Sequence, residues 1–203
     1  VYGVTSPLIT KSDGTKFGKS EGKTVWLDPK KSSPYEFYQF FVNVADSDIA
    51  NMLKRLSMKS VDEIKKLIYQ SETQPHLIEA QKALAMELTE IVHGKEGLQS
   101  SLRITDALFN GNIADLTADE ISQAFKDVEK TTVSENTSLI DALLQGKVCT
   151  SKREAREFIT SGSISINGTK CQQIDKVLTL QDTLDGKTIV IRKGKKNYSI
   201  FNI

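Results

Sequence analysis

The residues with the clearest chemical potential stand near the start of the chain, in the stretch Lys16, Phe17, Gly18, Lys19 and Ser20. Glycine adopts backbone conformations that other residues avoid, and lysine carries an ammonium group on a flexible stem. Both properties suit a loop that closes over a polyphosphate. The stretch matches neither the Gly-Lys-Ser/Thr phosphate loop nor the dinucleotide fingerprint, so by itself it describes a solvent-exposed turn equally well.

A second group of candidate residues is basic and lies in the last third of the chain. Lys152, Arg153 and Arg156 fall on a predicted helix at a spacing that lets them share one face. Such a face could follow a phosphate backbone by charge, with little direct sequence readout, or it could simply be solvated. The other cations assigned to the same RNA-binding role are Lys170, Arg192, Lys193, Lys195 and Lys196.

The charge of the chain is unevenly divided. The formal net charge of +1 combines +3 in residues 1–31, −8 in residues 32–145 and +6 in residues 146–203. An acidic middle between basic ends is expected when a polyanion contacts the ends more than the centre. A surface that is merely soluble would allow the same pattern.

The sequence favours no metal, thiol or membrane chemistry. Cys149 and Cys171 lack partners at metal-ligand spacing and are predicted to be reduced structural thiols. His76 and His93 are predicted to lie on helix surfaces or at helix ends. No apolar run approaches the ~20 residues that cross a bilayer, and no export leader opens the chain, so we expect a soluble, cytoplasmic protein without a bound metal.

Apolar periodicity predicts a helical bundle in the middle of the chain. Helix starts are indicated at Ser33 before Pro34, at Asp46 with Ser47, and at two capping boxes. An aromatic face in the first helix is predicted to be core. A longer amphipathic segment ends at His93-Gly94 and is followed by another helix. The capping boxes are Ser60 with Glu63 and Thr117 with Glu120.

Beyond this bundle the pattern changes to that of a small α+β module. The polar residues 131–137 are interpreted as a linker. After them come a short helix, a helix opened by a capping box of Ser151 with Glu154, the hairpin signal Asn167-Gly168 and two final strands. Strand-like pieces at the start of the chain run into the glycine-rich loop without nearby partners, which indicates a fragment.

Two resemblances follow from these residues. The segments SKREAREFI (151–159) and GSISING (162–168) resemble the RNA-binding module named after ribosomal small-subunit protein four. The whole chain resembles the second half of bacterial-type tyrosyl-tRNA synthetases, notably in residues 5–42, HGKEGL (93–98) and RKGKKNY (192–198). In that family KFGKS (16–20) corresponds to the Lys-Met-Ser-Lys-Ser signature loop of class I synthetases, with Phe17 and Gly18 replacing Met and Ser.

The resemblance implies an α+β fold in four parts. These are the tail end of a Rossmann-type catalytic domain with the signature loop (1–31), a helical anticodon-region domain (32–130), the linker (131–137) and the RNA-binding module (138–203). The chain lacks the nucleotide-binding half and the tyrosine-recognition residues of the family, so it should not aminoacylate alone.

The implied activity of the full-length parent is that of a tyrosine–tRNA ligase. Tyrosine is activated with ATP, accompanied by Mg²⁺, and is transferred to tyrosine tRNA. Lys16 and Lys19 would be the catalytic cations, acting on the departing pyrophosphate within the ATP-binding loop 16–20. The parent is expected to be a homodimer through parts mostly outside this chain. The alternative is a non-enzymatic RNA-binding protein associated with the ribosome or another structured RNA.

Overall fold

The structure, a computed structural model, describes residues 2–5, 10, 12, 14–15, 24–194 and 197–203. The chain forms two compact units, Val1–Leu102 and Arg103–Ile203, and the division falls inside one long helix. In these described ranges no helix has both the length and the apolar content needed to cross a bilayer.

The described part of the first unit is helical. Its core is built from aromatic and aliphatic side chains of several helices, among them Phe37, Tyr38 and Phe41 from the predicted aromatic face. Ser60 caps its helix through the predicted box with Glu63. Ser33 is the predicted cap of α1, and it also forms a box, with Glu36, that was not predicted. The helices are α1 (Pro34–Val42), α2 (Asp46–Leu56), α3 (Val61–Thr73) and the larger part of α4 (Glu79–Asn110), with a short 3-10 helix at Pro75–Leu77.

The start of α2 differs from the prediction. Asp46 and Ser47 are the first two helical residues, and the N-cap is Ala45, whose side chain offers no acceptor. The side chains of both residues have other partners. Asp46 Oδ1 accepts a hydrogen bond from Gln81 Nε2 (2.6 Å), and the Ser47 hydroxyl pairs with that of Ser12 (3.0 Å).

Helix α4 joins the two helices that the sequence places on either side of Gly94. The predicted boundary between them is a single non-helical residue inside α4. Gly94 has φ 72° and ψ 178°, a backbone conformation that residues with a side chain disfavour. His93, predicted to lie on a helix surface or at a helix end, comes immediately before Gly94 and is half-buried. Its ring stands edge-on to Phe37, with centroids 4.9 Å apart, and burial lowers its pKa.

The second unit combines helices with a five-stranded sheet, so the predicted α+β class is confirmed. The strand order is β1-β7-β6-β3-β4, and a separate antiparallel pair joins β2 to β5. After the last residues of α4 come α5 (Ala118–Ala124), β1 (Lys130–Thr132), β2 (Thr137–Ser138), α6 (Leu139–Gln145), α7 (Lys152–Thr160), β3 (Ile164–Ile166), β4 (Thr169–Lys170), β5 (Val177–Leu178), β6 (Thr188–Lys193) and β7 (Asn197–Asn202). Two short 3-10 helices lie at Ile113–Asp115 and Leu180–Asp182.

The segment predicted as a linker is part of this sheet. Strand β1 pairs in parallel with β7, Thr131 opposite Phe201, and the Val133 N–H then donates to the Asn202 carbonyl (2.9 Å). Val133 itself is 4% exposed. A polar, hydroxyl-rich sequence can still form an edge strand, because Thr and Val are β-branched and half of an edge strand faces solvent. Residues 131–137 are therefore structured.

The two faces of the sheet are covered by different helices. Side chains of Ile189, Ile191 and Phe201 form one core with α6 and α7. On the other face the Tyr198 ring packs on Phe125, with centroids 5.2 Å apart, and its hydroxyl donates to the Leu108 carbonyl at the end of α4 (3.1 Å). The sheet of the module is thus enclosed by helices on both faces.

The predicted hairpin turn also packs against the end of α4. Asn167 and Gly168 both have positive φ (50° and 90°), as a two-residue turn of type I′ requires. A Cβ on Gly168 would stand 1.7 Å from the carbonyl oxygen of Gly111, which follows α4. Only glycine allows the turn to approach the end of α4 this closely.

Candidate nucleic-acid interface

The predicted catalytic stretch, Lys16 to Ser20, lies outside the described residues, so its lysines stay a prediction. The described residues nearest to it on the N-terminal side include Ser12, Gly14 and Thr15. The Ser12 backbone N–H donates to Asp48 Oδ1 at 2.6 Å. The segment before the stretch is therefore held by the start of α2.

Helix α7 carries the predicted basic face, and its sequence explains how that face is oriented. Ala155 and Ile159 are fully buried against the core, so residues on the opposite side of the helix project into solvent. Lys152, Arg153 and Arg156 are all exposed. The helix is capped by Ser151, whose hydroxyl accepts from the Glu154 N–H. The predicted box is only half formed, because the Glu154 carboxylate accepts from Thr150 and not from the N-cap backbone.

Lys152 is the one α7 cation in this group for which an ion pair is found in the described part of the chain. Its ammonium lies 2.9 Å from Asp141 Oδ1 on α6, and the two side chains remain 60% and 45% exposed. The hydrogen bond from Lys152 holds the pKa of Asp141 below its ordinary value, and the Ser138 hydroxyl adds to this effect. Lys152 is thus partly neutralised but still accessible.

Lys193, on β6, is engaged inside the module. Its ammonium donates to the carbonyl oxygen of Val148 and stands 4.9 Å from the centroid of the Phe158 ring. These contacts join β6 to the turn before α7 and to α7 itself. The positive charge of Lys193 also lies near Cys149, but burial of this thiol is the stronger effect and raises its pKa.

Arg192 lies on the opposite face of the sheet from Lys193, because successive strand residues alternate. It pairs across the ladder with Tyr198 and Ser165, and its guanidinium nitrogens are 3.5 Å from where a Cβ on Gly111 would stand. Arg192 Nε is buried, with no hydrogen-bond partner among the residues that the structure describes. This arginine therefore faces the end of α4.

Lys170 is exposed on the edge strand β4 and pairs with Ser165, which places it on the same face as Arg192. Lys195 and Lys196 lie outside the described residues. The structure thus brings Lys152, Arg153 and Arg156 together on α7, and it separates them from Arg192 and Lys170 by the thickness of the sheet. Among the described residues, no three His, Cys, Asp or Glu side chains group as a metal site would require.

Comparison with known proteins identifies the family to which this chain belongs. Residues 1–110 match the family of class I tRNA synthetases (W and Y), and residues 120–201 match the SYY-like C-terminal domain of tyrosine–tRNA ligases. The first match covers more than half of the chain.

Curated relatives match along nearly the whole chain. Tyrosine–tRNA ligase 1 of Bacillus cereus is 50% identical over 200 residues, which cover 97% of this chain and 47% of that protein. The tyrosine–tRNA ligase of Staphylococcus haemolyticus is 48% identical over 99% of this chain and 48% of its own length. The chain therefore spans about half the length of these relatives.

Among solved structures, a solution structure of a tyrosyl-tRNA synthetase C-terminal domain is 42% identical and matches 47% of this chain and 98% of its own, with a TM-score of 0.39. By its family match and its relatives, this chain belongs to the class I tRNA synthetases of the W and Y family.

Proposed function

We propose that the chain is the C-terminal part of a tyrosine–tRNA ligase. The observation that carries the proposal is the identity of about one residue in two, along 97% of the chain, with proteins that bear this name. The proposal retains the four-part division of the sequence with one change, because residues 131–137 include a strand of the C-terminal sheet. The module then begins at or before Lys130.

In the proposed reaction, the carboxylate of tyrosine attacks the α-phosphate of ATP, which forms tyrosyl-adenylate and releases pyrophosphate. A hydroxyl of the terminal ribose of tyrosine tRNA then takes the tyrosyl group, and AMP leaves. Lys16 and Lys19 stabilise the negative charge that grows on the departing pyrophosphate, so they bind the transition state more strongly than ATP itself. Ser20 contributes a hydroxyl donor, and Gly18 lets the backbone approach the nucleotide. Mg²⁺ arrives with ATP as part of the substrate.

The exposed cations of α7 are proposed to contact the phosphate backbone of the tRNA. Support comes from their position on the solvent side of a helix whose other side is fully buried. Lys170, Lys195 and Lys196 remain in the proposed set. Arg192 and Lys193 are given a smaller part, because the Arg192 guanidinium faces Gly111 at the end of α4 and the Lys193 ammonium donates to the turn before α7.

The full-length enzyme is proposed to work in the cytoplasm as a homodimer, through parts that lie mostly outside this chain. Tyrosine selection also belongs to those parts.

The experiment that tests the enzyme is tyrosine-dependent exchange of pyrophosphate into ATP by the full-length polypeptide. Lys19→Ala should lower kcat by roughly 100-fold or more, because a lost charge-stabilising donor typically costs that much. Lys23→Ala is the matched control and should exchange normally, since we expect Lys23 to be solvated.

Normal exchange by Lys19→Ala would remove Lys19 from the mechanism. If the unaltered polypeptide binds tRNA but shows no tyrosine-dependent exchange, the non-enzymatic RNA-binding alternative replaces the proposal.

A further inference from the structure

The turn that ends helix α6 has lysine where glycine is the usual residue. The Lys147 N–H donates to the Leu144 carbonyl (3.0 Å). The Val148 N–H donates to the Leu143 carbonyl (2.9 Å). These are the two hydrogen bonds of a Schellman motif, which needs a residue with a left-handed backbone directly after the C-cap. Lys147 is that residue, with φ 54°. Glycine is preferred here because it has no Cβ to disfavour this conformation.

The glycine of this turn stands one position earlier, where packing requires it. Gly146 is the C-cap, with an ordinary φ of −78°. A Cβ on Gly146 would collide with the ring of Phe201, which is fully buried. Packing therefore accounts for Gly146 but not for Lys147, whose side chain is exposed.

Lys147 is unusual among the residues with a positive φ. In the part of the chain that the structure describes, the residues other than glycine with this conformation are Ile78, Asn136, Lys147 and Asn167. Two of them are asparagines, which tolerate the left-handed region better than other side chains. Within this set, Lys147 alone carries a charge. A left-handed residue with a long side chain destabilises the turn, and strain of this kind is concentrated at functional sites.

The Lys147 ammonium is open to a partner from outside the module. Its side chain forms no hydrogen bond or ion pair with any residue that the structure describes. Glu129 lines the same polar cleft, of about 170 Å³, yet the two charged groups do not pair there. The charge of this lysine is therefore available for binding.

Other cations lie on both sides of this turn. The carbonyl of Val148, the next residue, accepts a hydrogen bond from the Lys193 ammonium. Lys152, at the start of α7, pairs with Asp141 in the first turn of α6 (2.9 Å). Asp141 precedes Lys147 by six positions, which is about 9 Å at the helical rise of ~1.5 Å per residue. Positive charge therefore extends from the start of α7 to the end of α6.

We propose that Lys147 contacts the phosphate backbone of the tRNA and so extends the interface of the α7 cations to the end of α6. The inference rests on the proposed function, because it assumes that the chain binds tRNA. An ammonium group on a flexible stem meets a phosphate as a point charge, so the contact adds affinity without reading sequence. Lysine serves this contact at a position where glycine would make the turn more stable.

A lysine that follows a helix also interacts favourably with the negative end of the helix dipole. That explanation needs no partner, and it predicts that removing the charge lowers stability. The RNA contact predicts the opposite, because glycine relieves the left-handed strain and only binding is weakened. Affinity and thermal stability measured on the same variants therefore distinguish the two explanations.

The test measures thermal unfolding and the binding of a tyrosine tRNA transcript at several salt concentrations, for variants of this chain. Lys147→Gly should weaken tRNA affinity roughly threefold and lower the slope of log affinity against log salt concentration by about 1, as expected for one lost phosphate contact. Its thermal midpoint should rise by about 2–4 °C. Lys147→Arg keeps both the charge and the left-handed side chain, so its affinity and midpoint should match those of the unaltered chain.

Asn136→Gly is the matched control, because Asn136 is another exposed residue of the same unit with a positive φ (66°) but has no charge. Its affinity should stay within about twofold of the unaltered chain. Lys147→Asn removes the charge with a side chain that tolerates the left-handed region, and it should bind as weakly as Lys147→Gly. It also serves if the glycine variant fails to fold.

Unchanged affinity and salt slope in Lys147→Gly would overturn the proposal. A lower thermal midpoint would do the same, because it would assign the lysine to the helix end. Failure of the proposed function gives a different result: the unaltered chain then shows no salt-dependent tRNA binding, and the Lys147 contact is wrong with it. If Arg153→Ala with Arg156→Ala weakens binding but Lys147→Gly does not, the Lys147 contact alone is wrong and the proposed function stands.

Discussion

The cations of α7 and those of β6 differ in what surrounds them, although all lie in one small module. Arg153 and Arg156 project from the solvent side of a helix. Arg192 and Lys193 stand on opposite faces of a sheet that has helices against both faces. The Arg192 guanidinium lies beside Gly111, and the Lys193 ammonium donates to the Val148 carbonyl. A cation on an amphipathic surface helix is free to bind a partner, whereas a cation on an enclosed strand is available first to its own fold.

The largest loss of tRNA affinity is expected when the exposed cations of α7 are removed. Arg153→Ala with Arg156→Ala should weaken tRNA affinity on the order of tenfold and lower the slope of log affinity against log salt concentration by about 1 to 2, because each removed phosphate contact releases one counterion fewer. Filter binding or fluorescence anisotropy at several salt concentrations measures both quantities.

The thermal midpoint of this double variant should match that of the unaltered chain, since both arginine side chains are exposed on the solvent side of α7. Lys187→Ala, which removes another exposed lysine of the same unit, is the control and should leave affinity within twofold. An unchanged salt slope in the double variant would make the α7 face a solvated surface and nothing more.

Lys193→Met should lower stability and leave tRNA affinity nearly unchanged, the reverse of the arginine double variant. The methionine keeps the aliphatic stem but removes the ammonium, which leaves the Val148 carbonyl without its donor and ends the contact with the Phe158 ring. We expect a loss of about 1–2 kcal/mol in the free energy of unfolding, measured by urea denaturation. tRNA affinity at a temperature where the protein is folded should be nearly unchanged. A stable variant with much weaker binding would place Lys193 in the interface and erase the distinction between α7 and β6.

Local signals in the sequence were sufficient to predict much of the fold. The cap at Ser33, the capping boxes at Ser60 and Thr117 and the turn at Asn167-Gly168 are confirmed, because each depends on residues within a few positions of one another. The basic spacing on α7 likewise predicted an exposed face, since helical period alone determines which residues lie opposite the buried ones.

The features that the sequence did not reveal depend on distant partners. Strand β1 exists because β7, about 70 positions later, offers an open edge, and the only local sign was a run of β-branched residues. The different surroundings of Arg192 and Lys193 follow from which helix covers each sheet face. Asp48 looks like an ordinary first-turn helix acid until Ser12 is found beside it. The missing cap at Ala45 was the available signal.

The smallest effect is expected at Lys152, which belongs to both groups, being exposed like the α7 arginines and paired like Lys193. Lys152→Ala should weaken tRNA affinity only about two- to threefold, because the Lys152 charge is already shared with Asp141.

Lys152→Ala should also raise the pKa of Asp141, since the hydrogen bond from Lys152 is the largest cause of the lowered pKa of this carboxyl. A depressed carboxylate pKa stabilises the fold above the pKa of the unfolded chain, and this stabilisation is lost as pH falls through the folded value. The variant should therefore lose less stability than the unaltered chain between neutral and acid pH. Carboxyl NMR titration of Asp141 measures the shift directly, and Asp62, an exposed carboxylate away from α7, is the internal reference. An Asp141 that titrates identically in both proteins would show that the ion pair does not persist in solution. Lys152 would then resemble the exposed Arg153 and Arg156, with a comparable effect on affinity.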